Sequence, residues 1–369
     1  MNAVLQQSVP FRARRSMAAA AFGEKLYFFG GVGSATGTES ILDVANDLWC
    51  FDTRELSWRE VRSLAPWPSA RRCAGWTPHD GGLVLWGGSG VCGTPDGATR
   101  YTFLNDVWHF MPSAERWELV RETDDHRVTP ADSEAAAAQP FPRYTPVCQS
   151  VSGELFLFSG YTEDRLGKRK LNDAWICRGT AWRRIPSGPR EGYAAGARWP
   201  GPRYGSMSAC DSRSVYVCGG VSDAGDHIDL WRFDMSEQKW DLLSPDAAGP
   251  GVPSPRYCAA MTLRGGEVFV FGGRSRIHPK RNFNDLWAFD LAARTWRQVQ
   301  ENREPHRYDE SAEFPGYHAK AATALVGDDW YLWGGEGRRG HVSDFWKYSF
   351  ADGRWRMLSA ARSDDPCFW

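Results

Sequence analysis

The sequence predicts an all-β chain of six sheets, each of four antiparallel strands, packed radially about one axis. Three observations carry this prediction. A glycine pair follows a short apolar run at Gly30-Gly31, Gly87-Gly88, Gly219-Gly220, Gly272-Gly273 and Gly334-Gly335, with Ser159-Gly160 in the third copy. Each pair is followed by an acidic residue and a tryptophan two positions later: Asp47 and Trp49, Asp106 and Trp108, Asp173 and Trp175, Asp229 and Trp231, Asp285 and Trp287, Asp344 and Trp346. A second tryptophan comes soon after, at Trp58, Trp117, Trp182, Trp240, Trp296 and Trp355, so the repeat absorbs most of the 19 Trp. One four-stranded sheet cannot bury both its faces alone, whereas several packed around an axis can, leaving only short edges. The implied architecture is a six-bladed β-propeller.

The elements follow in order. In the first copy the strand-sized runs are 16–22, 25–29, 47–51 and 57–61. The predicted blades are 11–64, 70–122, 142–187, 202–245, 255–301 and 317–360 within one domain 1–369. Residues 121–142, which include the alanine run between Glu134 and Gln139, lack apolar periodicity and read as a flexible insertion. Glycine after the second strand gives room where blades approach and permits positive φ. The tryptophans fill the wedges between blades, each burying roughly 150–250 Å². Closure has two candidates, 355–358 as a last strand or 4–7 as a remnant of the same strand type.

Composition narrows the function. With Lys+Arg 44 against Asp+Glu 45 the net charge is −1, so no global field recruits nucleic acid or an anionic membrane. No apolar run approaches the ~18 residues of a membrane-spanning helix. The 9 Cys are odd in number, scattered and without a Cys-x-x-Cys pair, which suggests reduced thiols and a cytoplasmic setting. Arg12, Arg14 and Arg15 before Met17 imitate a targeting peptide, but the stretch aligns with the start of every later repeat. Gly31 to Gly37 misses dinucleotide spacing, and Gly160 to Lys168 misses phosphate-loop spacing.

Connections between strands two and three share a face with those between blades, and here they are long and unlike one another: 33–44, 89–103, 161–171, 274–283 and 336–342 after the glycines, with 65–70, 121–142, 186–202, 245–255 and 300–316 between blades. Variable loops on a rigid scaffold are where function usually sits. Before each first strand stands Arg14/Arg15, Arg71/Arg72, Arg143-Tyr144, Arg203-Tyr204, Arg256-Tyr257 or Tyr317-His318. Sixfold repetition places these around the mouth of the central channel. The ligand-binding candidates are therefore Arg72, Arg143, Tyr144, Arg203, Tyr204, Arg256, Tyr257 and His318, with Trp67, Tyr193 and Trp199 as loop aromatics. Guanidinium groups suit carboxylate or phosphate, and tyrosines add flat contact area. The competing reading is that each Arg pairs with the repeat's own Asp and is architectural.

The glycine pair, the acidic-x-Trp step, the later Trp and the preceding Pro-Arg together resemble the kelch repeat, over residues 10–360. The resemblance implies a propeller, and in chains of this kind an adaptor or effector-binding role. It also implies a second class, since kelch propellers include sialic-acid mutarotases and iron-dependent specifier proteins. The latter hold iron on Glu-x-x-x-Asp-x-x-x-His, and this chain offers Asp309, Glu313 and His318 with the acids exchanged and one residue too many. These three are the catalytic and metal candidates, for Fe(II) or another divalent ion, although nothing in the sequence requires a cofactor. Two expectations result: a monomeric binding module for an acidic protein segment or small anionic ligand, and, alternatively, a lyase, isomerase or cyclisation catalyst using the same funnel. No nucleic-acid or membrane partner is expected.

Overall fold

The computed structural model describes residues 9–33, 43–63, 66–93, 99–123, 138–164, 167–186, 198–247, 249–277, 281–303, 313–338 and 340–360. Blade I is built from Ala18–Phe22, Lys25–Phe29, Leu48–Asp52 and Ser57–Val61, paired antiparallel in that order. Blades II to VI repeat the plan, from Gly75–His79 in blade II to Arg354–Ser359 at the outer edge of blade VI. The first strands touch their neighbours around a complete ring, including blade VI against blade I. Each blade therefore uses four consecutive strands of its own. The ring closes with Arg354–Ser359 as an ordinary fourth strand, and residues 4–7 lie outside the described residues.

Period-2 alternation explains why the strands are buried on both faces. Leu26 and Phe28 point into the seam with blade VI, among Tyr331, Trp333 and Phe345, while Tyr27 and Phe29 point into the seam with blade II, among Trp76, Leu85 and Trp117. Six apolar clusters result, one per seam. The core is thus a ring of wedges, and the tryptophans are its filling, as the repeat implied.

Two predicted loops are ordered differently. Segments 89–103 and 161–171 largely extend the hairpins of blades II and III, as Gly82–Gly93 with Thr99–Met111 and Glu154–Asp164 with Gly167–Arg178. Alternating residues such as Tyr161 and Thr162 opposite Lys170 and Arg169 continue the ladder past the glycines. The insertion centred on 124–137 lies outside the described residues.

Candidate functional site

The repeat's charged pair is an internal clamp. Arg143 Nη1 and Nη2 donate to Asp173 Oδ1 and Oδ2 at 2.6 and 2.8 Å, Nη1 also to the Ser159 carbonyl at 3.1 Å, and Nε to the Phe141 carbonyl at 3.0 Å. Arg14 with Asp47, Arg71 with Asp106, Arg203 with Asp229 and Arg256 with Asp285 make the same bidentate contact. In each blade the tryptophan two residues after the Asp donates its indole N–H to the same carboxylate, at 2.6–2.8 Å. This is the physical reason for the acidic-x-Trp spacing. Burial opposes the charge on Asp173, but the Arg143 guanidinium and the Trp175 N–H outweigh it and hold the carboxyl below the usual carboxylate range.

Arg143, Arg203 and Arg256 are 0% exposed, so the expectation that they rim the channel as ligand donors is corrected. Fivefold recurrence of Arg in register with the repeat's Asp is the sequence signature of their pairing. His318 takes the arginine's place in blade VI. It is 1% exposed, with Nδ1 at 2.7 Å from the Gly334 carbonyl and Nε2 at 3.1 Å from Asp344 Oδ2. Neither nitrogen is left for a metal, Glu313 is exposed, and Asp309 lies outside the described residues. Of the expected metal or acid–base site, the described residues thus show a His318 whose two nitrogens are engaged within its own blade and an exposed Glu313. Trp67 and Trp199 are likewise engaged, donating to the carbonyls of Asn46 and Asn172 and packing on Trp117 and Trp240. Tyr193 lies outside the described residues.

The next residue along in each step makes a backbone bridge instead. Arg15, Arg72, Tyr144, Tyr204, Tyr257 and Ala319 each pair with the stretch after their blade's glycines. Tyr144 lies 5.4 Å from Phe103 in a stack and 5.4 Å from Tyr161; Tyr204 lies 6.1 Å from Tyr144, 5.7 Å from Tyr161 and 6.3 Å from Tyr257. The result is an aromatic ladder across blades II to V. Burial raises the phenol pKa of Tyr144, Tyr204 and Tyr257, so these groups stay protonated at neutral pH and serve as donors. Cations flank the ladder. Arg72 sits 4.4 Å over the Tyr101 ring, and Arg274 donates to the Tyr257 hydroxyl at 2.5 Å and pairs with Glu336. Arg72, Tyr144, Tyr204 and Tyr257 of the predicted set thus meet at this face; Arg274, Lys320 and Glu336 were missed, because they belong to no repeat motif.

Beneath the ladder a ring of backbone hydrogen bonds encircles the axis. The amide of Ser16 donates to Lys320 O, Cys73 to Ser16 O, Thr145 to Cys73 O, Cys258 to Gly205 O and Lys320 to Cys258 O, at 2.8–3.0 Å, while Gly205 donates to Thr145 Oγ1. All six residues have φ between 52° and 66°. Further out on blade IV, His227 bridges Ser222 Oγ at 2.7 Å and Asp246, whose Oδ1 accepts the amides of Ile228 and Asp229. His227, Asp229 and Asp246 lie within 4.8 Å of one another. Asp229 already holds Arg203 and Trp231, and Ser222 is 3% exposed, so the group latches the 222–227 turn to the next connection.

The chain matches the family described as KLHDC2/KLHL20/DRC7 Kelch-repeats domain over residues 2–139, 123–306 and 193–367. The chain belongs to the kelch-repeat family. Similar kelch relatives include Kelch domain-containing protein 10 of Homo sapiens, 22% identical over 73% of this chain and 53% of the relative, and of Xenopus laevis, 22% identical over 84% and 69%. A leucine-zipper-like transcriptional regulator 1 homolog of Drosophila melanogaster is 26% identical over 68% of this chain and 23% of its own length. The kelch propeller therefore spans about a quarter of that relative and about half of human Kelch domain-containing protein 10.

Proposed function

We propose that this kelch propeller is a binding module whose long-loop face grips a segment of a partner protein. The observation that carries the reading is the aromatic ladder of Phe103, Tyr144, Tyr161, Tyr204 and Tyr257 flanked by Arg72 and Arg274. Tyrosine supplies large contact area at low conformational-entropy cost, and arginine is enriched at interface hot spots. Arg72 and Arg274 beside the ladder favour an acidic segment. The lyase alternative needs His318 as a ligand or acid–base group, and both its nitrogens are engaged by Gly334 and Asp344, so binding is the reading carried forward. A monomer in a reducing, cytoplasmic setting belongs to the same proposal, supported by scattered unpaired cysteines.

The test compares proteins captured by wild type with those captured by the combined variant Arg72→Glu and Tyr204→Ala. Arg54→Glu, 75% exposed on the short-turn face, is the control. Partners lost with the first variant and kept with the control support the reading. An unchanged set with both sinks it.

A further inference from the structure

The turns that join third strands to fourth strands lie on the short-turn face. In five blades they are 53–56, 112–115, 235–238, 291–294 and 350–353, between paired residues such as Asp52 and Ser57 or Ser349 and Arg354. The last residue of each turn has φ between 49° and 66°: Leu56, Glu115, Gln238, Arg294 and Gly353. Four of these send a side chain into the seam with the preceding blade. Leu56 packs against the cluster between blades VI and I, Glu115 accepts from Arg59 of blade I, Gln238 accepts from Arg183 of blade III, and Arg294 donates to Asp241 of blade IV. Blade III turns more tightly, at 179–180, and carries no such residue. Gly353 of blade VI keeps the turn but lacks the side chain.

The seam it leaves unfilled, between blades V and VI, holds a pocket of about 480 Å³. Phe269, Val299 and Phe350 line it, with the two phenyl rings 4.7 Å apart and edge to face. At its rim Arg264 pairs with Asp328, and Arg297 donates to both oxygens of Glu267 at 2.8 and 2.9 Å. Each cation is answered by a carboxylate, so the mouth favours an uncharged ligand. One polar group in the lining is unmet. Tyr348, 4% exposed, packs its ring 5.1 Å from Phe350, and its hydroxyl makes no hydrogen bond among the described residues. A Cβ on Gly353 would lie 3.8 Å from that hydroxyl, so a side chain at this position would cover it. Burial raises the phenol pKa, which keeps the group a donor at neutral pH.

Small-molecule sites are apolar pockets of about 300–1,000 Å³ with a few placed polar groups, and this volume is that of a whole ligand rather than one partner side chain. A buried donor without a partner costs free energy that a ligand acceptor recovers. From this vacancy we infer that the seam between blades V and VI is a small-molecule site, on the face opposite the proposed partner-binding surface and independent of it. Its ligand is uncharged, with a flat aromatic body against Phe269 and Phe350 and a carbonyl oxygen on the Tyr348 hydroxyl.

Two probes separate body from acceptor: para-fluoroacetophenone has the ring and the carbonyl, and fluorobenzene has the ring alone. In fluorine NMR relaxation titrations wild type should bind the ketone about fivefold more tightly than fluorobenzene, the worth of one hydrogen bond. Gly353→Leu restores the side chain that blade I carries at the same backbone conformation, and should abolish binding of both probes. Tyr348→Phe keeps the shape, which guards against misfolding of the leucine variant, and should bring the ketone down to the affinity of fluorobenzene. Arg72→Glu with Tyr204→Ala, on the other face, should bind the ketone as wild type does. No binding to wild type, or equal ketone affinity in wild type and Gly353→Leu, overturns the site. Equal ketone affinity in wild type and Tyr348→Phe overturns the carbonyl contact. Neither result touches partner capture by the loop face, so the two readings stand or fall separately.

Discussion

His318 does the work of an arginine with fewer donors. It reaches the Gly334 carbonyl and Asp344 Oδ2 but has no second arm, and Asp344 Oδ1 is buried without a partner among the described residues. Both nitrogens donate, so the ring must be protonated to hold the clamp. Burial opposes that charge, yet the Asp344 carboxylate and the Gly334 carbonyl outweigh it and raise the pKa above 6.5. A pKa raised by folding contributes stability that is complete below the unfolded value and is lost as pH climbs through the folded one. Wild type should therefore lose urea resistance as pH rises above the ordinary histidine range, and His318→Arg, charged throughout, should remove that loss. His318→Ala strands a buried carboxylate and should cost about 3–5 kcal/mol. Identical pH profiles of the urea midpoint in wild type and His318→Arg would refute the account.

At the scale of the strand and its turn, the glycine pair is a contact between blades. A Cβ on Gly30, at φ +66°, would lie 2.4 Å from the Arg71 carbonyl oxygen, and the Gly31 amide donates to that same oxygen. Copy three shows how a side chain is tolerated: Ser159, at φ 62°, donates its hydroxyl to the Arg203 carbonyl at 3.0 Å. Gly30→Ala should therefore lower stability by more than about 2 kcal/mol, Gly30→Ser by less, and Gly153→Ala, at φ +77° with open space around it, by about 1 kcal/mol from strain alone. Guanidinium denaturation ranks the three, and a serine as harmful as alanine at position 30 would contradict the Ser159 comparison. These positions were legible in the sequence because they repeat. The inner ring was not, since Ser16, Cys73, Thr145, Cys258 and Lys320 share a left-handed backbone but no one residue type common to all, and only Gly205 advertises it. The proposed binding face was half legible: the Arg-Tyr step drew attention to the right turn, but the Arg of the step is buried by pairing with a distant Asp, which the spacing alone does not show.

Across the whole molecule, five seams are crossed by the chain passing from one blade to the next, and the seam between blades VI and I is not. It is held by packing and by the Ser16 amide on the Lys320 carbonyl at 2.9 Å. Val9 and Phe11 fill it from outside the sheets. Phe11, 4% exposed, lies 5.0 Å from Trp49, 5.2 Å from Trp58 and 4.7 Å from Trp333, so one ring touches both blades. Of the two candidate sealing segments, 354–359 is blade VI's own fourth strand, and the described residues add a plug of two side chains ahead of the first blade that no strand pattern marks. Nearest-neighbour packing also makes stability a sum over blades and seams, so the weakest seam opens first. Phe11→Ala should cost about 3–5 kcal/mol, and amide exchange should rise first in Ala18–Phe22, Lys25–Phe29 and Asp329–Glu336. Phe158→Ala, in the chain-crossed seam between blades III and IV, removes a ring that is 0% exposed. It should lower stability comparably without selectively opening blades VI and I. If Phe11→Ala instead raises exchange evenly in all six blades, the propeller opens as one unit, and the plug is only another part of its core.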